Sequence, residues 1–255
     1  GMHIFESDSG YLACGDVGKG RLPEPDEIED KIKEVMEDDK FLEGKHILVT
    51  AGPTSEAIDP VRMITNHSTG KMGYALARAA RNMGAHVTLV SGTKQIEDIR
   101  DVEMVHVTSA QDMAEAVLSR QNDMDCMILA AAVADYTPVS VADNKIHKSE
   151  GEMSIPLKRT QDILKTLGDN KKDGQVLIGF SMETENMVER TKEKLVKKNC
   201  DYIVANNLKE KGAGFGTDTN IVTLISKDHE EEFGILSKYD TAVKILKTCL
   251  KEKKA

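Results

Sequence analysis

The feature that most constrains this chain begins at Lys45, where short apolar runs start to alternate with stretches of helical periodicity. "KHILVT" is an apolar run closed by Ala51-Gly52-Pro53, which reads as a buried strand ending in a turn. A loop leads to Lys71, and from there to Met83 the apolar residues Met72, Ala75, Leu76, Ala79, Ala80 and Met83 recur at helical spacing until Gly84. "AHVTLVSG" and "EMVHVT" supply two more strands, "SAQDMAEAVLSRQ" a helix capped by Ser109, and "DCMILAAAVA" a fourth strand. "MSIPL" reads as a short strand and "QDILKTL" as a short helix. "VLIGFSM", a basic helix from Asn186 to Asn199 and "DYIVAN" continue the alternation. "NIVTLIS" and "EEFGIL" read as a hairpin before a last helix from Ser237 to Lys251.

Such alternation dictates a Rossmann-like, doubly wound α/β fold with a mostly parallel sheet. The polar stretch from Asp135 to Glu150 adds a flap, and the chain closes with the hairpin and helix. Before Lys45 the pattern is absent. Residues 1–24 carry glycines and charges without periodicity, and Pro23 and Pro25 open an acidic helix from Asp26 to about Glu37. The chain therefore divides into an appendage with a linker helix, residues 1–44, and one main domain, residues 45–255, large enough for a generous core.

A net charge of -9 leaves no general basic surface, so a nucleic-acid partner is not expected and any polyanion must be met locally. Cys14, Cys126, Cys200 and Cys249 form no C-x-x-C pair, which disfavours a zinc site and a disulfide framework and fits a reducing compartment. No apolar run reaches the roughly 18 residues that cross a bilayer, and no signal-peptide core opens the chain. A cytoplasmic protein without a membrane partner is expected.

A loop between the first strand and first helix of a parallel sheet lies at its carboxyl edge, where such folds bind ligands. There, in "TNHSTGKMG", Ser68, Gly70 and Gly73 would leave backbone N–H groups open to an anion, aided by the helix dipole. Phosphate is the ligand class this suggests; an ordinary helix cap with close-packing glycines has the same spacing. A P-loop is excluded, because Met72 follows Gly70-Lys71 and Thr65 stands where the first glycine belongs. A dinucleotide site would want an acidic residue after the second strand, where Ser91-Gly92-Thr93-Lys94 offers none. Lys94 leaves an NADP-linked reductase open as an alternative, although a Tyr-x-x-x-Lys pair is absent.

"AAAVAD" ends the fourth strand with side chains small enough for a flat base to lie against the backbone, and Asp135 could hold a ribose hydroxyl or a metal-bound water. A close-packed strand end would look the same. "NKIHKSE" places Lys145, His147 and Lys148 in the flap, where a cation could close over a negative intermediate, although most surface lysines are merely solvated. Lys194 and Lys198 stand one turn apart on the basic helix, as a solvated face or a phosphate clamp.

Together, "VTAGPTSEAIDPVRMITNHSTGKMG", "AAAVADY" and "KIHK" resemble the phosphopantothenoylcysteine synthetase family of coenzyme A biosynthesis, over about Lys45 to Lys247. Upstream, "SGYLACGDVGKGRLPEPDEI" looks like the C-terminal end of phosphopantothenoylcysteine decarboxylase, which many bacteria carry fused ahead of the synthetase. Cys14 matches that enzyme's catalytic cysteine, but its flavin-binding part has no counterpart here, so neither flavin nor decarboxylation is expected.

The resemblance implies that the carboxylate of 4'-phosphopantothenate attacks the α-phosphate of CTP, giving an acyl-cytidylate and pyrophosphate, and that the amine of L-cysteine then displaces CMP. It assigns Asn66 to the acyl carbonyl of the intermediate, Arg62 to the pantothenate carboxylate or its activated form, and Lys145 to both half-reactions. Ser68, Gly70 and Gly73 would meet the triphosphate, with Gly52 also among the nucleotide-binding positions. Leu129, Ala130 and Ala131 would line the cytidine, and Asp135 would contact it. Gln161, Asp162, Ile163, Leu164 and Phe180 would complete the pocket, and Lys194 and Lys198 would bind phosphates. Mg2+ would accompany CTP, with no protein ligand that can be named. A homodimer with sites near the subunit interface is implied as well.

Two departures stand out. His147 occupies a flap position where the family often carries lysine, so its charge would vary near neutral pH. "RTQDIL" stands where "KNPDIL" is common, which puts the role of Gln161 in question. Sequence physics does not separate CTP from ATP, although the decarboxylase-like segment favours the CTP-using bacterial branch. A nucleotide-binding module without catalysis is the remaining alternative.

Overall fold

A computed structural model describes residues 4, 7–11, 14–23, 25–36, 39–148, 152–183, 187–207 and 219–251. Three ends of expected elements, residue 37 of the acidic helix, residues 149–150 of the flap and residue 186 of the basic helix, lie outside the described residues.

The amino-terminal segment forms an antiparallel hairpin of β1 (Asp8–Tyr11) and β2 (Val17–Arg21), followed by α1 (Pro25–Met36). Pro25 is the first helical residue, a position where its fixed φ helps and its missing N–H costs nothing. Lys33 of α1 lies 4.6 Å from the centre of the Tyr239 ring, and Leu42 is already buried in the main core. The core thus begins slightly ahead of the expected boundary at Lys45.

β3 (His46–Ala51) opens the main sheet. The loop expected after it contains a small hairpin of β4 (Ser55–Ala57) and β5 (Met63–Thr65). Strands of three residues are too short to leave a period-two signal. Then come α2 (Lys71–Asn82), β6 (His86–Ser91), β7 (Glu103–His106) and α3 (Ala110–Leu118). Ser109 caps α3 as expected, in a reciprocal capping box with Asp112. After a short 3-10 turn, β8 (Cys126–Leu129) ends five residues earlier than the apolar run suggested.

β9 (Tyr136–Pro138) and β10 (Leu157–Arg159) pair antiparallel and frame the flap, so only Leu157 of the expected "MSIPL" strand is in a ladder. α4 (Ile163–Asn170), β11 (Val176–Glu183), α5 (Met187–Lys197) and β12 (Tyr202–Asn207) follow in the expected alternation. The carboxyl-terminal part holds β13 (Thr219–Asn220), β14 (Val222–Ser226), β15 (Glu230–Glu232), β16 (Leu236–Ser237) and α6 (Lys238–Leu250). β14 pairs with β15 as the expected hairpin, whereas Leu236 and Ser237 turn away to pair with β13.

The main sheet has eight strands in the order β15-β14-β12-β11-β8-β3-β6-β7. From β12 to β7 every pairing is parallel; β14 and β15 add an antiparallel edge. β3 explains why such strands read as continuous apolar runs: Ile47, Val49 and Ala51 enter one core with α2 and α6, while Leu48 enters the other with α3, α4 and α5. Each fully buried Leu or Ile in these layers contributes about 1.5–3 kcal/mol.

α2 lies unusually close to β3. A Cβ on Gly73 would stand 2.5 Å from Ala51 Cβ and 2.8 Å from Thr50 O, so only glycine permits this approach. Gly73→Ala should therefore lower stability by roughly 1–3 kcal/mol through overpacking, read as a lower urea midpoint at unchanged slope. Gly234→Ala, where nothing lies within 4 Å, should stay within about 0.5 kcal/mol. Equal midpoints for the two variants would contradict this packing account.

Candidate active site

Beyond their ladders, the chains leaving β3 and β8 remain side by side. Ala131 N–H donates to Thr50 Oγ1 (3.1 Å), Ala132 N–H to Gly52 O (2.9 Å) and Ala134 N–H to Thr54 Oγ1 (2.9 Å). Thr50 and Thr54 are buried, so two hydroxyls and one carbonyl take over from the sheet ladder where the backbone would otherwise lack partners. Residues 130–134 accordingly stay beside the chain leaving β3 without being a full strand, with a bend at Ala131 and an isolated parallel bridge between Ala132 and Pro53. The loop before α2 folds onto this seam. Gly70, at φ 83°, allows the chain to turn into the helix where a Cβ would meet Thr93 at 2.9 Å.

Two adjoining cavities open at this carboxyl edge. The first, of about 560 Å3, lies between residues 129–136, the start of α4 and the end of α5. That is within the about 300–1,000 Å3 range of small-molecule sites. Its charged lining is Asp135, Arg159, Asp162, Lys194 and Lys198. The second, of about 280 Å3, sits at the amino end of α2 and shares Ala131, Val133, Phe180 and Lys194 with the first. It is lined by Lys71, Lys194 and Lys238 and by no carboxylate among the described residues. α2 has no side-chain cap and no acidic residue in its first turn, which leaves its dipole unopposed toward the cavity.

Most of the expected site residues meet here. Leu129, Ala131, Asp135, Gln161, Asp162, Ile163, Leu164, Phe180, Lys194 and Lys198 line the first cavity; Ser68, Gly70, Gly73, Ala130, Ala131, Phe180 and Lys194 line the second. Asp162 is the N-cap of α4, with Oδ1 accepting from Lys165 N–H (2.9 Å) and Oδ2 paired with Lys198. Burial lowers the pKa of the Lys198 ammonium, an effect that an anion in the cavity would oppose. Lys194 Nζ reaches Ser181 Oγ at 3.4 Å.

Gly52, Arg62, Asn66 and Lys145 line neither cavity. Gly52 packs under the loop, where a Cβ would meet Thr93 N at 2.9 Å. Asn66 Nδ2 donates to Ala132 O and Val133 O, both at 3.2 Å, so it stands on the seam beside the second cavity, which those two residues line. Its two amide hydrogens face protein carbonyls, and donation to an acyl carbonyl requires one of these bonds to be exchanged. Arg62 is held by the buried Asp59, through Nε at 3.0 Å and Nη2 at 2.6 Å. Burial alone would push the Asp59 carboxyl up; the N–H of Ile146, the Arg62 guanidinium and the N–H groups of Val61 and Arg62 outweigh it and hold the group well below the usual carboxylate range. Lys145 is exposed and makes no hydrogen bond or ion pair with the described residues.

The sequence reading missed Arg159 and Thr160 in the first cavity and Asn206, Asn220 and Lys238 in the second. Asn206 lies one residue before the carboxyl end of a parallel strand, so the carboxyl-edge rule would have found it. Its Oδ1 is buried without a partner among the described residues. Asn220 and Lys238 arrive from the carboxyl-terminal strands and α6, for which no local signal exists. For a metal, the described residues contain no group of three or more His, Cys, Asp or Glu suitably placed. Asp135 and Asp162 are the only carboxylates among the described lining residues, and Asp162 is already tied to Lys198. This donor set fits a cation that brings most of its oxygen ligands with it, as Mg2+ does on nucleotide phosphates.

The profile of the family described as "DNA/pantothenate metabolism flavoprotein C-terminal domain" matches residues 42–252. A curated relative from Bacillus subtilis (strain 168), "Coenzyme A biosynthesis bifunctional protein CoaBC", is 53% identical over 251 residues, covering 96% of this chain and 61% of the relative. The chain thus spans about three-fifths of that relative's length. A second, "Cysteine/Cysteine sulfinic acid decarboxylase" from an unknown prokaryotic organism, is 44% identical over 98% of this chain and 71% of its own length. The crystal structure of the C-terminal domain of a CoaBC protein is 50% identical, with a TM-score of 0.69, over 81% of this chain and 96% of that one. With the family profile spanning both cavities and the sheet that carries them, the chain belongs to the DNA/pantothenate metabolism flavoprotein C-terminal domain family.

Proposed function

We propose that this chain is a phosphopantothenate–cysteine ligase that uses CTP and works through an acyl-cytidylate. The observation that carries the reading is local: on a chain of net charge -9, two joined cavities gather Lys71, Arg159, Lys194, Lys198 and Lys238 beside an uncapped helix start. A site of this kind suits a ligand with more than one phosphate. Membership of a family whose relatives include a coenzyme A biosynthesis protein supplies the chemistry.

In this reading the first cavity takes the nucleoside, with Phe180 on its wall and Asp135 at its rim. Because Thr50 occupies the Ala131 N–H, discrimination of the base falls to the remaining backbone groups of residues 129–133 and to the start of α4. Lys194 lies in both cavities and would follow phosphate charge from one to the other. A carboxylate is a poor electrophile at neutral pH, and attachment to a nucleotide phosphate provides the leaving group that cysteine's amine can displace. The protein contributes positioning and charge compensation. Bound Mg2+ would neutralise part of the triphosphate charge, with Asp135 the lining carboxylate not already paired to a lysine. Asn66 would orient the acyl group, and Lys145 would approach from the flap.

A dinucleotide reading meets a steric objection. Past β6, where an NADP ribose would lie, Thr93 is buried against Gly52 and Gly70, and a Cβ on Gly92 would stand 2.1 Å from Pro53 O. Association as a homodimer and a cytoplasmic location belong to the same proposal; among the described residues no helix is long and apolar enough to cross a membrane.

Labelled pyrophosphate should exchange into CTP only when 4'-phosphopantothenate and Mg2+ are both present, and ATP should compete weakly. Exchange without the acid, or release of carbon dioxide in its place, would refute the ligase reading. Asn66→Asp replaces the N–H donors facing Ala132 O and Val133 O with a carboxylate oxygen. It should leave CTP affinity near that of the parent while product formation falls about 100-fold or more. Lys145→Gln should slow single-turnover formation of the intermediate by roughly 100- to 1,000-fold, with a much smaller change in nucleotide affinity. An unaltered single-turnover rate would remove Lys145 from the mechanism.

A further inference from the structure

We propose that Asp59 is a positioning residue that latches the flap to the β4–β5 turn and thereby sets where Lys145 stands. The inference that this matters for catalysis rests on the ligase reading; the latch itself rests on geometry alone.

The two oxygens of Asp59 do different jobs. Oδ1 accepts the N–H groups of Val61 and Arg62, both at 2.8 Å, and so closes the turn in which Asp59 lies. One oxygen is enough for that. Oδ2 points away from the turn, toward Arg62 Nε (3.0 Å), Arg62 Nη2 (2.6 Å) and the N–H of Ile146 (3.1 Å). Arg62 Nη2 also donates to Ile146 O at 2.5 Å. Both backbone groups of Ile146, 87 residues away in sequence, are therefore held by one buried carboxylate and its arginine.

The remaining ties of the flap lead to the same place. Val139 N–H bonds to Pro156 O within the β9–β10 frame, and Ala142 N–H bonds to Ile58 O, next to Asp59. Among the described residues 140–148, every hydrogen bond to the body of the protein thus reaches the turn between Ile58 and Arg62. Lys145, exposed and without a partner of its own among the described residues, takes its place from the peptide that follows it. A charge buried this deeply requires full pairing, and five donors supply it. A turn that needed only closing would not require the second oxygen to face the flap.

Asp59→Asn separates the two jobs. Its amide keeps an oxygen for Val61 and Arg62 N–H but turns an NH2 group toward Ile146 N–H and the guanidinium, which are donors themselves. In this variant the Ile146 amide should exchange its hydrogen at least about 10-fold faster while amides of β3 and β8 keep their protection. Unchanged exchange at Ile146 would overturn the latch. Product formation should fall roughly 10- to 100-fold with little change in the KM for CTP. Combined with Lys145→Gln, the loss should be far less than the product of the two single losses. Fully multiplicative losses would show that Asp59 does not act through Lys145. Should Asp59→Asn fail to fold, Ile146→Pro removes the N–H from the flap side of the latch, and a parent-like rate in that variant would overturn the proposal. A chain inert in the ligase assay whose Ile146 amide is still released by Asp59→Asn would sink the functional reading and leave the latch standing.

Discussion

Two buried threonine hydroxyls, at Thr50 and Thr54, hold the chain that leaves β8 against the chain that leaves β3, and the site is built around that seam. In a parallel sheet the strands end where the ladder ends, and the backbone beyond must find other partners or stay in water. Here it stays inside. The seam places Ala131 and Val133 on a wall shared by two cavities, gives Asn66 a pair of carbonyls to stand on, and brings Gly70 of the α2 loop down onto Thr93. Without it the small-residue stretch would be a frayed strand end and the loop before α2 would have nothing to lie against.

Electrostatics then works against the average of the molecule. The surface is acidic overall, so long-range attraction does not bring a polyanion to it. The cations that matter come from separate elements: Lys71 from α2, Arg159 from β10, Lys194 from α5, Lys198 from just beyond it, and Lys238 from α6. Concentrated in concave sites beside a helix dipole, they act over a few ångströms, where neither the net charge nor salt screening dominates. Lys198 is paired with Asp162, so an anion entering the first cavity would compete with that carboxylate for it.

The flap belongs to the same design, through a different element. It was legible in sequence as a polar stretch with lysines, but its anchor was not, because Asp59 and Ile146 are far apart along the chain and carry no shared pattern. The β4–β5 hairpin that carries Asp59 is likewise too short to register by periodicity. The six parallel strands and the helices over them were readable, because strands buried on both faces and amphipathic helices leave strong signals. Where the reading went astray, as at "DCMILAAAVA" and "EEFGIL", apolar composition continued past the point where hydrogen-bond partners changed.

By itself, the sequence determined the doubly wound sheet, the helix start at Gly70 and most of the residues that line the cavities, because these depend on local periodicity and on motifs within short windows. Only the tertiary structure decided that the cavities share a wall at Phe180 and Lys194, that Asn220 and Lys238 close the second one, and that Asp59 ties Arg62 to the flap. Those facts depend on which distant segments the packing of the sheet brings within hydrogen-bonding reach, and sequence periodicity carries no record of that.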